Sequence, residues 1–166
     1  MSLIKLLEWL KSTHFSAMMI GSTWTEPIVE TVHVLTLTIF LGFAVLLDLR
    51  LLGLGMRRRR ASEMLQQLNP WLGGSFLVMI ISGALLFVAD PVVFYTSIFF
   101  KLKMIFLVLA GINVWIFNVT VRKTVTDWDR DSEPPCGARI AAIVSLVLWI
   151  AIVAAGRAIA YSIPPP

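Results

Sequence analysis

A polar stripe lies on one face of an otherwise apolar predicted helix. Glu26, Glu30 and His33 are spaced four and three residues apart, and residues at that spacing share a helix face. Ionisable side chains are costly in lipid, so the stripe is the first candidate for a functional site. His14 is the only other histidine of the chain. Chemistry that needs imidazole is therefore confined to two positions.

The composition indicates an integral membrane protein. Hydrophobic residues make up 58% of the 166 residues and charged residues 14%, and the mean hydropathy is +0.84. Such values lie far from those of soluble domains. We expect one all-α transmembrane domain over residues 1–166 and no nucleic-acid partner, because the basic excess lies in short loops beside apolar segments. The lone Cys136 excludes an internal disulfide.

Four apolar stretches are long enough to cross a bilayer and predict a four-helix bundle. The predicted spans cover about residues 27–49, 70–89, 97–119 and 140–161. Pro27 and Pro70 are expected in the first turn of their helices, where proline is tolerated. Residues 1–20 predict one amphipathic helix lying in the membrane surface, since its charged side chains share a face and leucines occupy the rest.

Charge in the loops predicts the orientation. The first loop contains Arg57–Arg60 and the third also carries several basic residues, whereas the second has no Lys or Arg. Basic loops beside membrane helices stay in the cytoplasm. We therefore expect a multi-pass protein of the bacterial inner membrane with both termini in the periplasm.

This topology places six ionisable residues in the periplasmic half of one bundle. They are Glu26, Glu30 and His33 on the first span, Lys101 and Lys103 on the third, and Arg157 on the fourth. At 1.5 Å per residue, His33 lies about 10 Å deeper than Glu26. One interpretation is a ligand site. The other is an ion-pair network in which long cations reach the interface and the glutamates pair with them.

The leading chemistry for this cluster is haem b. A neutral imidazole in a helical bundle is a common axial ligand of haem iron, and basic side chains neutralise the haem propionates. We expect His33 to be a ligand, with Glu30, Lys101 and Arg157 around the cofactor. The second axial ligand stays open. The candidates are His14, Met18, Met19, Met104 and Lys101.

Copper is the alternative cofactor. His14 and Met18 are one helical turn apart, and thioether sulfur suits Cu(I). His33, His14 and Met18 are then the candidate metal ligands, although methionines also serve as plain apolar packing. A glutamate beside a histidine could instead relay protons to a bound quinol.

Polar residues at the opposite end of the spans are interpreted structurally. Asp48 and Arg50 predict an anchor in which the aspartate pairs locally and the arginine reaches lipid headgroups. Asn113 and Asn118 are expected to hydrogen-bond between helices.

Several strings resemble a bacterial family of small membrane proteins of unknown function. They are ETVH at 30–33, DLRLLG at 48–53, GALLF at 83–87, DP at 90–91, Tyr95, FK at 100–101 and AGIN at 110–113. That family is distantly similar to CopD-type copper-resistance membrane domains and to HemJ-type haem-binding protoporphyrinogen oxidases. The resemblance covers about residues 20–120. It implies a helical bundle with sparse membrane histidines, with His33 at the ligand position and Lys101 as a possible partner.

Two functions are expected from these features. One is a cytochrome b-like subunit that passes electrons between membrane quinol and a periplasmic redox partner. The other is a copper-handling transport module or a membrane anchor without redox activity. Because the loops are short, we expect a partner subunit or a homo-oligomer in either case.

Overall fold

The computed structural model describes residues 3–56, 58–129 and 134–162, and its long elements are all helices. The helices are α1 (Leu3–Lys11), α2 (His14–Gly21), α3 (Thr25–Leu51), α4 (Ala61–Ala89), α5 (Pro91–Thr96), α6 (Ile98–Thr120) and α7 (Cys136–Ser162). Four of them, α3, α4, α6 and α7, are long and apolar enough to cross a membrane. The predicted all-α, four-span fold is confirmed. Arg57 and the C-terminal tail, on which the predicted orientation partly rests, lie outside the described residues.

The four long helices pack in a row rather than in a closed square. Helix α3 packs along α4, α6 packs along α7, and α3 joins the two pairs through α7. We call the end of the bundle with α1, α2 and α5 the surface-helix end, and the opposite end, with the connections after Leu51 and Thr120, the basic-loop end. At the surface-helix end, the stacked rings of Phe87 and Phe100, with centroids 5.4 Å apart, link α4 to α6.

The amphipathic segment forms two helices instead of the predicted single one. The chain turns after Lys11, and the Thr13 hydroxyl accepts a hydrogen bond from the Ser16 N–H at 3.4 Å, which caps α2. Lys11 forms an ion pair with Asp90 at 3.0 Å. Ser16, fully buried, donates to the Ala89 carbonyl at 3.1 Å. These contacts fasten both short helices to the end of α4.

Helix α4 begins nine residues before the predicted span, and the expectation that Pro70 lies in its first turn is wrong. Arg60 precedes α4 without a side-chain cap. The Asp129 carboxylate, from the connection between α6 and α7, accepts hydrogen bonds from the Ser62 N–H at 2.8 Å and the Ser62 hydroxyl at 2.6 Å. This cap lets the helix start in a polar stretch of the sequence. Pro70 lies inside the helix and has no backbone N–H, so one backbone hydrogen bond of the helix is missing there.

The other end of α3 is fixed by glycine and arginine. Gly53 adopts a φ of 74°, a conformation that favours glycine, and the Leu54 N–H donates back to the Leu49 carbonyl at 3.0 Å. Arg50 is only 1% exposed, and its guanidinium donates to the Arg59 carbonyl at 2.9 Å. The expectation that Arg50 reaches lipid headgroups is therefore wrong, because its side chain ties the first loop to the bundle.

Apolar side chains cover the outside of the bundle and also form its centre. Leu35, Val108 and Ile150 are at least 60% exposed on three different helices, as expected for a surface in contact with lipid. In the interior, the rings of Phe40 and Trp149 meet with centroids 4.5 Å apart. This pair joins α3 to α7 at mid-bundle and separates the two ends of the interior.

Candidate functional site

His33 is held on α3, about 12 Å along the helix from its first residue. Its ring is half-buried, and Nδ1 lies 2.9 Å from the Ser82 hydroxyl of α4. Ser82 donates its single proton to the Val78 carbonyl at 2.8 Å, so it accepts from His33. Nδ1 therefore carries the proton of the neutral imidazole.

This hydrogen bond leaves the lone pair of the imidazole on Nε2 of His33. A neutral imidazole has one protonated nitrogen and one lone pair, and the contact with Ser82 is made by Nδ1. Gly83 lets the ring approach α4, because a Cβ at this position would lie only 3.2 Å from Cε1 of His33. The α3–α4 contact thus orients the ring and fixes its tautomer, as the supporting hydrogen bonds of metal-ligating histidines do.

Lys103 is the cation that the bundle brings to His33. It is half-buried on α6, and its charge lies within electrostatic reach of the imidazole. Its side chain runs along α7, where a Cβ on Gly156 would be 3.7 Å from Nζ. His33, Ser82 and Lys103 therefore form one layer near the surface-helix end, with α7 contributing a glycine.

The structure places three other predicted site residues on the surface of the same end. Lys101 is exposed, with Nζ 5.2 Å from the ring centroid of Tyr95. Arg157 is exposed over the ring of Tyr161, also at 5.2 Å. Glu30 is exposed as well. Within the described residues, no hydrogen bond or ion pair joins these side chains to His33.

The predicted copper ligands on α2 lie apart from His33. His14 is the first residue of α2 and is exposed, Met18 is 51% exposed, and Met19 is 2% exposed. Met19 thus packs as an apolar core residue. In the parts of the chain that the structure describes, no group of three His, Cys, Asp or Glu side chains is arranged to hold a metal ion.

A second polar site, at the basic-loop end, was not predicted as functional. A cleft of about 260 Å³ opens between α4 and α6, with α3 and α7 as its floor. Asp48 lines the cleft and is 6% exposed; Ser145 of α7 is its side-chain hydrogen-bond partner. Its Oδ2 atom has no hydrogen-bond partner among the described residues. The expected local pairing of Asp48 is wrong, because its side-chain hydrogen-bond partner Ser145 lies on another helix.

Asparagines line the same cleft and only partly follow the prediction. Asn113 donates to the Ala141 carbonyl of α7 at 3.0 Å, which confirms the expected interhelical hydrogen bond. Asn118 instead donates to Val114 of its own helix at 2.8 Å and accepts from Arg122 at 2.9 Å. The sequence did contain a signal for this site. Each of the four apolar spans carries a polar residue at a similar distance from the basic-loop end.

Fold and site together define the class of protein: a four-span helical membrane protein with one oriented histidine near one end of the bundle and a buried carboxylate near the other. The chain belongs to DUF6644, a family of unknown function, whose model matches residues 6–162. No curated protein and no solved structure matched the chain in the comparisons. Membership agrees with the expected resemblance to a membrane-protein family of unknown function.

Proposed function

We propose that this chain is a membrane electron-transfer protein or subunit that binds haem b through His33. The observation that carries the proposal is the oriented imidazole, in which Ser82 holds Nδ1–H and leaves Nε2 for iron. Haem, when bound, supplies one-electron chemistry at iron. The chain's own residues hold and orient the cofactor.

The donor set fits a haem attached through a single histidine. Lys103 brings a positive charge into the layer of His33, which suits the propionates of haem. Lys101 and Arg157 place two more cations at the surface of the same end. Their stacking on tyrosine rings leaves their charge available at the rim.

The proposed setting is the bacterial inner membrane, with the surface-helix end in the periplasm. The basic residues near Arg58–Arg60 and Lys123 support this orientation. Membrane quinol is the proposed electron donor, and a periplasmic redox subunit or a second copy of the chain is the proposed partner. Cys136, the single cysteine and an exposed residue at the basic-loop end, tests the orientation. Membrane-impermeant maleimide should label it only after the cells are permeabilised.

The cofactor proposal is tested by an absorption spectrum with stoichiometric metal analysis of the purified protein. We expect a Soret band that His33→Ala abolishes and His14→Ala retains. Ser82→Ala keeps the ligand but removes its orienting partner, and should weaken haem binding by about tenfold to a hundredfold.

Other outcomes identify the alternatives. Copper at stoichiometric amounts without haem, lost in both His14→Ala and Met18→Ala, favours the copper-handling function. Protein from haem-supplemented cells that holds neither haem nor copper favours a non-redox membrane anchor. Loss of the Soret band in His14→Ala as well as in His33→Ala contradicts the proposed single-histidine arrangement.

A further inference from the structure

The cleft between α4 and α6 contains a buried carboxylate with an unsatisfied oxygen. Asp48 is 6% exposed, and Oδ2 accepts no hydrogen bond from any described residue. Ser145 is its side-chain hydrogen-bond partner. A buried carboxylate oxygen without a donor is strongly unfavourable. The cleft therefore favours a ligand that presents a hydrogen-bond donor.

A second charge of opposite sign lines the same cleft. Arg122, two residues after the end of α6, uses one guanidinium N–H for Asn118, and arginine has five such donors. The Asp48 carboxyl and the Arg122 guanidinium thus offer an acceptor and a donor at two points of the cleft. A neutral ligand that donates at one point and accepts at another complements this arrangement better than a free ion does.

The rest of the lining favours a flat ring with an apolar tail. Phe40, Phe117 and Trp149 are among the lining residues. Helices α4 and α6 do not pack closely against each other. Gly73 of α4 lines the cleft and has open space where a side chain would begin. A mostly apolar cavity with a few fixed polar groups is typical of small-molecule sites.

We propose that this cleft binds the head group of a membrane hydroquinone, with one ring hydroxyl donating to Asp48 and the opposite ring oxygen accepting from Arg122. The tail leaves between α4 and α6 into the bilayer. This site goes beyond the proposed haem site and does not depend on it. Asp48 lies fifteen residues after His33 on α3, which is about 22 Å along the axis.

The test measures how much labelled decylubiquinol or decylubiquinone is retained by nanodiscs that contain the protein. Empty nanodiscs measure the amount that dissolves in the lipid alone, and this amount is subtracted. Wild-type protein should bind the quinol about tenfold more tightly than the quinone, because only the quinol donates to a carboxylate. Asp48→Asn should remove or reverse this preference, since an amide also donates to a quinone carbonyl.

A matched pair of glycine variants tests the location. Gly73→Leu fills the cleft and should weaken binding of the quinol by about tenfold or more. Gly74→Leu adds the same side chain at the next position, which does not line the cleft and also has open space around its Cβ. It should bind like the wild type. If Gly73→Leu fails to fold, the redox preference of Asp48→Asn decides the question.

Three results would overturn the proposal. The first is retention no greater than that of empty nanodiscs, and the second is equal binding by the Gly73→Leu and Gly74→Leu variants. The third is a phospholipid that co-purifies with the wild-type protein but not with Gly73→Leu, in a protein that does not retain quinol. This result would assign the cleft to a lipid. His33→Ala should leave quinol retention unchanged, so failure of the haem proposal and failure of this one are distinguishable.

Discussion

Gly83 is the position where a single methyl group tests the contact that orients His33. In Gly83→Ala the new Cβ lies 3.2 Å from Cε1 of the imidazole, closer than ordinary carbon contacts of about 3.5 to 4.0 Å. Overpacking of this kind costs about 1 to 3 kcal/mol. Replacing a glycine inside a helix by alanine returns about 0.5 to 1 kcal/mol. The net expectation is a destabilisation of up to about 2.5 kcal/mol, together with displacement of the ring from Ser82.

Gly74→Ala is the matched control on the same helix, because no neighbouring atom lies within 4 Å of the position that the new Cβ would take. This variant should be stabilised by about 0.5 to 1 kcal/mol through its helix propensity alone. Thermal unfolding in detergent, followed by intrinsic tryptophan fluorescence, compares the two variants. The Soret maximum of the proposed haem is a separate test of His33. Equal stabilisation of both variants, with an unchanged Soret band, would refute the close α3–α4 contact.

Three further predictions concern the connections between helices. Asp129 is buried, which raises its pKa, but hydrogen bonds from Ser62 and nearby positive charge outweigh burial and lower it overall. Its contribution to stability is therefore present above the ordinary aspartate pKa and is lost as the pH falls below about 4. In Asp129→Asn, the free energy of unfolding measured from pH 6 to pH 3 should fall less steeply with pH than in the wild type. Ser16→Ala removes a buried hydrogen bond to the end of α4 and should cost about 1 kcal/mol in thermal unfolding, whereas no change would contradict its burial. Lys11→Ala breaks the exposed pair with Asp90 and should cost less than about 1 kcal/mol, an effect that high salt should remove.

The four spans were predictable because apolar length is a strong signal, but the start of α4 was not. Residues 61–69 include Gln66, Gln67 and Asn69, which read as a loop before Pro70. The helix begins there because Asp129, more than sixty residues away in sequence, caps it. A cap supplied by another part of the fold leaves no local sequence signal.

The site was predictable in its histidine and less so in its neighbours. His33 and Lys103 lie in one layer, whereas Lys101, two residues earlier, lies exposed over Tyr95. The same spacing separates the buried Asp48 of the cleft from Arg50. Helical periodicity places the members of each pair on different faces of the helix. Only the packing of the helices shows that Asp48 and Arg50 are both buried, Asp48 in the cleft and Arg50 against the first loop.

The contact between Phe40 and Trp149 also has an electrical consequence. It belongs to an apolar layer, with Met79 and Ile152, that lies between the histidine layer and the carboxylate cleft. The indole N–H of Trp149 is the one hydrogen-bond donor among these four side chains, and a donor does not solvate a cation, so a proton entering from one side meets a barrier. The histidine layer and the carboxylate cleft are therefore separated within the interior, and a proton taken up at one of them does not readily pass to the other.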